Sequence, residues 1–378
     1  MTTATGGADQ PLPETMRAFR QTQYGTEPAE ILTETRLPLP STDVAKGAPD
    51  RILVRVAASA LNPLDTHLGS GYAKAVMAVK FPMTIGSDFA GTVVKVPAGV
   101  KTDLKPGDRV CGCLDVNPRV ADGVGTFAEY VAPQTHAVVR IPDSMSFDEA
   151  AGVGVVAYTV WQSFVGQLGI APPPPGATQS PMAAGKKLLI LGGSTATGLV
   201  TTQIARAWGF ADITVTSTQE ALCKQYGATR VINYRDKTKG HEWWNVLAGE
   251  NFDAMYNTAE GRIAWDKCGS VLRDNGRYNT LIIDYPEKPF TYFTAFRLMT
   301  SVLWRKTISW FGSPAFSLAI DTKPGLGIAE CVDLVGKGTL RFPVDPRGPF
   351  PATMDGAQSM WKIQRASNAR GKLVMRWV

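Results

Sequence analysis

Residues 192–198 read Gly-Gly-Ser-Thr-Ala-Thr-Gly, and the spacing of these glycines is the first hint of chemistry. Glycines among small residues let a backbone turn tightly and bring its N–H groups close to a pyrophosphate. Where such a turn opens a helix, the positive helix end adds to the attraction. Gly192, Gly193, Ser194, Thr195, Ala196, Thr197 and Gly198 are therefore the candidate cradle for a dinucleotide. An ordinary strand-to-helix crossover carries similar letters, so the flanking elements decide.

Those elements are visible on both sides. Leu188 to Leu191 is an apolar run of strand length. It does not alternate, as expected of a parallel strand covered on both faces. Beyond Gly198, Leu199, Ile204 and Ala207 recur with helical spacing up to Gly209. Residues 211–217, 228–234 and 251–259 predict further strands, with a short helix over 219–227. Residues 268–283 predict a helix, a turn at Gly276 and a fifth strand. Strands alternating with helices are the pattern of a doubly wound parallel sheet.

The chain before this region has a different texture. Residues 16–36 predict two strands around a turn at Tyr24-Gly25, and 51–62 predict a half-buried strand entering a turn at Asn62-Pro63. Short glycine-punctuated strands continue through residue 132, which suggests a compact β-rich barrel. Residues 148–169 predict an interrupted helix, and 171–185 a proline-rich surface loop. After the fifth strand, residues 285–311 are dense in aromatics, with Arg297, Arg305 and Lys306 excluding a simple membrane span. Core or dimer-interface packing is the expectation for this stretch; a docking surface for a partner or a membrane is the alternative. Residues 326–344 predict a helix stopped at Gly336–Gly338 and then a strand, 352–367 an amphipathic helix, and 372–378 a closing strand.

Composition narrows the function classes. The 378 residues suit two domains, and 44% hydrophobic with 19% charged residues describe a globular protein. A net charge of +6 without a dense Lys/Arg run argues against nucleic-acid binding and agrees with anionic ligands. Five scattered cysteines argue for a reducing compartment, and Cys111 with Cys113 reads as strand packing rather than half of a metal site. The N-terminal residues have no apolar secretory segment and no arginine before Arg17, so they make a poor presequence. No apolar run approaches a membrane span.

Six stretches occur in an order that carries a family resemblance. They are SALNPLDTHLGSGY (59–72), FPMTIGSDFAGTVV (81–94), KPGDRV (105–110), KKLLILGGSTATG (186–198), YGATRVINYR (226–235) and NARGKLV (368–374). The chain resembles the medium-chain dehydrogenase/reductase superfamily, in its zinc-free quinone-oxidoreductase-like branch and nearest its reticulon-4-interacting type. The resemblance implies a GroES-like catalytic barrel joined to a Rossmann domain. Its expected layout is a flexible tail over 1–15, catalytic parts over 16–150 and 326–378, and the Rossmann domain over 151–325. It also implies NADPH-dependent reduction of a quinone or an activated C=C bond.

Site residues carried over by this resemblance are expectations. Asn62, Asp65 and Tyr72 would line the nicotinamide pocket, with Thr159 beside the ring. Asn62 would donate to a substrate carbonyl and Tyr72 would donate a proton; a turn cap for Asn62 and Asp65 and packing for Tyr72 are the structural alternatives. Zinc members carry Gly-His-Glu where Gly86-Ser87-Asp88 stands, and the three histidines, His67, His136 and His241, offer no ligand set. No metal is expected. Ser217 and Thr218, at a strand tip without an acid, leave room for a 2′-phosphate, with Tyr234 packing near it. Arg370 and Lys372 would approach the cofactor phosphates. Thr195 replaces the family's middle glycine, so crowding of the phosphates and strain at positive φ are expected there. Either Ser194 and Thr195 hydroxyls then bind phosphate, or nucleotide binding weakens. The second functional expectation is accordingly an accessory subunit of a larger assembly, a mitochondrial respiratory one among them, docked through 285–311. The resemblance suggests mitochondria, and the cytoplasm is the alternative.

Overall fold

The computed structural model describes residues 11–43, 50–236, 242–284, 290–311, 314–319 and 325–377. The first ten residues of the expected tail, His241 and residues 285–289 of the aromatic stretch lie outside the described residues.

Six strands form a wholly parallel sheet in the order Arg230–Ile232, Asp212–Thr216, Lys187–Leu191, Phe252–Asn257, Leu272–Thr280, Ala315–Leu318. The Lys187–Leu191 strand is central because both its faces are apolar. Leu188 and Ile190 join the cluster containing Val200, Ile204 and Ala205, whereas Leu189 and Leu191 join that of Trp243, Phe252 and Met255. All four leucine and isoleucine side chains are fully buried. The helix Ala196–Trp208 follows and ends at Gly209, whose φ of 97° supplies the left-handed stop. Strand order reverses between Lys187–Leu191 and Phe252–Asn257, the topological switch point where ligands of such sheets bind.

The remaining strands build the β-rich part. A sheet of mainly antiparallel strands runs Phe350–Pro351, Leu373–Arg376, Leu53–Leu61, Asp88–Lys95, Arg109–Cys113, Val138–Arg140, and Tyr130–Val131 pairs with Leu53–Leu61. A smaller sheet joins Leu32–Pro38, Thr15–Gln21 and Met83–Thr84. The C-terminal strand thus returns to pair with the first half of the chain, Leu373 opposite Leu61 and Arg376 opposite Ala58.

Several expectations need correction. The Leu53–Leu61 strand is not half-buried: Arg55 alone within it is exposed, because strands flank it on both sides and packing covers both faces. Asn62-Pro63 opens a helix, Pro63–Gly69, rather than a turn. The helix expected from residue 268 ends there, spanning Arg262–Cys268. Gly276 lies inside the fifth strand: Leu272 pairs with Phe252 and Arg277 with Ala254, so residues 273–276 bulge from the ladder. A sixth strand, Ala315–Leu318, follows the aromatic stretch. Residues 339–344 form a loop with an isolated bridge from Val344 to Lys372 instead of a strand.

Candidate functional site

The glycine turn closes over the end of the central strand. Gly192 has φ 90°, and a Cβ there would meet the Thr258 hydroxyl at 2.5 Å; one on Gly198 would meet the Gly192 carbonyl oxygen at 2.3 Å. Both positions therefore demand glycine, the first for its φ and the second for close packing of helix on strand. Gly192 N–H donates to the Thr216 hydroxyl at 3.1 Å and Gly193 N–H to the Thr216 carbonyl at 2.9 Å.

Thr195 departs from expectation. Its φ of −69° and ψ of 158° are ordinary extended values, so the left-handed strain expected of a β-branched residue is absent. Its hydroxyl caps the helix, accepting from Gly198 N–H at 3.0 Å and donating to the Gly192 carbonyl at 2.8 Å. The Thr258 hydroxyl lies 3.1 Å away. The Thr195 side chain is thus engaged inside the turn. The first helical turn holds no acidic residue, so nothing there competes with an anion for the Ala196 and Thr197 N–H groups.

A buried polar network lies beside the turn. Asn62 caps the Pro63–Gly69 helix, and its N–H donates to Asp65 Oδ2 at 2.7 Å. Asp65 Oδ1 accepts from the Ser87 hydroxyl at 2.6 Å and lies 2.7 Å from Arg119 Nη2. Arg119 Nη1 also donates to the Ser87 hydroxyl at 2.6 Å. The Asn62 side chain faces a second ion pair: Nδ2 donates to Asp88 Oδ2 at 3.0 Å, and Oδ1 accepts from Lys372 Nζ at 2.5 Å. Lys372 Nζ reaches Asp88 Oδ2 at 2.6 Å. Asp88 Oδ1 accepts from Val155 N–H at 2.8 Å. Burial pushes the Asp88 carboxyl above its ordinary value, against the opposing pull of Lys372, Asn62 and Val155.

This network ties the parts of the site together. Asp88 holds the start of the Gly154–Trp161 helix, which carries half-buried Thr159 one turn further on. Lys372 follows Gly371, whose N–H donates to the Ser194 carbonyl at 3.3 Å and which bridges Thr195. Asp345 anchors the same segment, accepting from Arg370 N–H at 2.8 Å and from the Arg347 guanidinium at 2.6 and 2.8 Å. Burial pushes the Asp345 carboxyl up, but these hydrogen bonds together outweigh it and hold the group below its ordinary value.

The expected residues divide accordingly. Asn62 and Asp65 are buried, and their side chains hydrogen-bond within the network. The Lys372 ammonium is likewise buried and engaged by Asn62 and Asp88 rather than free for the phosphate contact expected of it; Arg370 beside it is exposed. Tyr72 is half-buried, its ring stacked 6.4 Å from Phe290, whose N–H donates to the Tyr72 carbonyl at 2.7 Å. Ser217 is buried with its hydroxyl accepting from Gln219 N–H, while Thr218 is half-exposed at the strand tip. Glu220, the nearest acid, pairs with Lys224 at 2.8 Å. Tyr234 is exposed, with the Arg235 guanidinium 5.9 Å from its ring centre. Ser87, Asp88, Arg119 and Thr258 were not singled out as site members from sequence. The available signal for Asp88 is a charged residue opening a strand that is otherwise largely buried. Among the described residues, no three His, Cys, Asp or Glu side chains cluster as metal ligands, and the five cysteines are buried thiols.

Two family models match the chain, the alcohol dehydrogenase GroES-like domain over residues 48–143 and the zinc-binding dehydrogenase over 196–324. The trans-enoyl reductase milB of Cordyceps militaris is 31% identical over 307 residues, covering 80% of this chain and 78% of its own. The trans-enoyl reductase mycC of Thermothelomyces thermophilus is 36% identical over 250 residues; that match spans 61% of either chain, less than two thirds of the relative's length. The mitochondrial NAD(P)H oxidoreductase RTN4IP1 of Danio rerio is 34% identical over 227 residues, covering 56% of this chain and 54% of its own. A quinone oxidoreductase structure from Coxiella burnetii covers 96% of this chain and all of its own, with a TM-score of 0.74 at 20% identity. A mycobacterial structure complexed with NADPH has a TM-score of 0.71 at 21% identity, over 96% of this chain and 100% of its own. The chain belongs to the medium-chain dehydrogenase/reductase superfamily, in its quinone-oxidoreductase-like branch.

Proposed function

We propose that this chain is an NADPH-dependent reductase that delivers a hydride to a quinone or to an activated C=C bond without zinc. The observation that carries the proposal is the glycine turn at the switch point, with its helix start clear of acids and its Thr195 side chain folded inward. NADPH would supply the hydride when bound. The Ala196 and Thr197 N–H groups would hold its pyrophosphate, with exposed Arg370 adding charge. Thr218 and Tyr234 would face the 2′-phosphate, because Glu220 is paired with Lys224 rather than placed at the strand tip. Thr159 and Tyr72 would line the reacting end, and Tyr72 or water would complete the reduction with a proton. Asn62 and Asp65 would act through the ion pairs that fix this wall.

The zinc-free part of the proposal rests on what occupies the position of the missing histidine. The Ser87 hydroxyl bridges Asp65 and Arg119 there, and two cations already neutralise the two aspartates. The names of the trans-enoyl reductase relatives support an enoyl substrate, and that of the Danio rerio relative supports a mitochondrial location. The test is NADPH consumption at 340 nm with a small benzoquinone and with a small enone, in chelator-treated buffer. Turnover with neither acceptor, together with no NADPH-induced change in fluorescence, would end the reading.

A further inference from the structure

The helix Tyr292–Ser309 packs inward through Val302 but exposes most of its large apolar side chains. Its 18 residues span about 27 Å. The inward side carries polar groups: the Ser301 hydroxyl donates to Asp284 at 2.9 Å, Arg305 lies 2.8 Å from Asp284, and the Ser309 hydroxyl donates to the Pro314 carbonyl. The outward side carries the large apolar groups. At about 100° per residue, Tyr292, Phe296, Met299 and Leu303 fall on one line, with Phe293 and Trp304 beside them. Phe296 is 58% and Trp304 64% exposed, and Trp310 and Phe311 at the helix end are each 84% exposed. The core packing expected of this aromatic stretch is therefore overturned within the chain.

Charge decides what covers this face. Arg297 and Lys306 fall on opposite margins of the apolar arc, and residues 292–309 contain no Asp or Glu. Between this helix and the Arg262–Cys268 helix opens a groove of about 540 Å³, in which Arg262 pairs with Asp266 and buried Arg305 with Asp284. A second copy laid on the same face would set exposed Arg297 and Lys306 against the same residues of its partner. A helix with an exposed aromatic arc, cationic margins and no acids suits an interfacial seat, its rings in the acyl boundary and Arg297 and Lys306 at phosphates. No helix among the described residues is long and apolar enough to cross a membrane, so the contact would lie in the surface plane.

We infer that the Tyr292–Ser309 helix, with Trp310 and Phe311, docks this protein onto an anionic phospholipid surface. The inference is independent of the reductase reading, since it requires no NADPH. The experiment is flotation of the full chain with phosphatidylcholine vesicles, with and without phosphatidylserine, and sizing of the lipid-free protein across a concentration series. The expected result is co-flotation with the serine-containing vesicles, weakened by added salt. The pair Arg297→Glu/Lys306→Glu and the pair Phe296→Ser/Trp304→Ser should each lower partitioning at least about tenfold, while circular dichroism stays unchanged. These exposed positions leave the fold's interior untouched. No flotation on anionic vesicles, or flotation that neither pair alters, overturns the inference. So does a concentration-dependent dimer that Phe296→Ser/Trp304→Ser dissociates while vesicles fail to bind, because the face then belongs to a second copy.

Discussion

Removing the Lys372 charge tests whether the buried network holds the site together. The attraction across the 2.6 Å to Asp88 is about 6 kcal/mol at an effective dielectric of about 20. Desolvation of two fully buried ions offsets much of that, so the intact pair is worth far less than its Coulomb energy. Lys372→Met is different, because it strands the carboxylate. Asp88, with no exposed surface, would keep the Asn62 and Val155 N–H donors but no cation at bonding distance. The expected loss is about 3–5 kcal/mol. Asp88→Asn combined with Lys372→Met removes both charges, and this double variant should be at least about 2 kcal/mol more stable than Lys372→Met. Acid should also rescue the single variant. Burial already raises the Asp88 pKa, and loss of Lys372 raises it further. A folded pKa above the unfolded value, about 3.9, means the penalty is greatest at neutral pH and shrinks as pH falls toward that value. Equilibrium urea unfolding at pH 7 and pH 5 reads both effects. A double variant weaker than Lys372→Met, or a penalty that grows in acid, would refute the reasoning.

Three further outcomes are expected. Thr195→Ala should destabilise by about 1 kcal/mol through loss of the helix cap, and Thr195→Gly by only a few tenths, as read by urea unfolding; equal losses would deny the capping role. Asp345→Asn should flatten the acid limb of stability. The wild-type carboxyl has a depressed folded pKa, so its contribution is present above the ordinary carboxylate pKa and is lost as pH falls through the folded value. Thermal melts at pH 6 and pH 3 should then lose less stability in the variant than in the wild type. Thr218→Asp should raise the KM for NADPH about tenfold or more by setting a carboxylate against the 2′-phosphate, with the KM for NADH unchanged or lower; steady-state kinetics with both coenzymes checks it.

The parts of this fold legible in sequence are those set by local patterns. Leu188–Leu191 announced a covered strand because four successive apolar side chains must serve two faces, and Gly209 announced the helix end because its φ is left-handed. The fifth strand misled because Gly276, an apparent turn, sits in a bulge that pairing on either side tolerates. The network was hidden for another reason. Asp88 and Lys372 stand 284 positions apart, and only strand return brings them to 2.6 Å. Lys372 in an RGK sequence resembles a phosphate ligand, yet its ammonium is turned inward by two acceptors that no local spacing reveals.

Thr195 shows how the two levels meet. A side chain at the middle of a glycine turn strains the backbone only if that residue adopts the conformation glycine was needed for. Here Gly192 takes the positive φ three residues earlier, and Thr195 is left extended. Its hydroxyl then performs the work of an N-cap, which a glycine performs without a side-chain bond. The close approach that remains obligatory belongs to Gly198, against the Gly192 carbonyl. Inward hydrogen bonding recurs at Ser87, whose hydroxyl bridges Asp65 and Arg119. The first turn of the helix holds no acidic residue, and the Thr195 hydroxyl caps Gly198, so the Ala196 and Thr197 N–H groups meet no acid there.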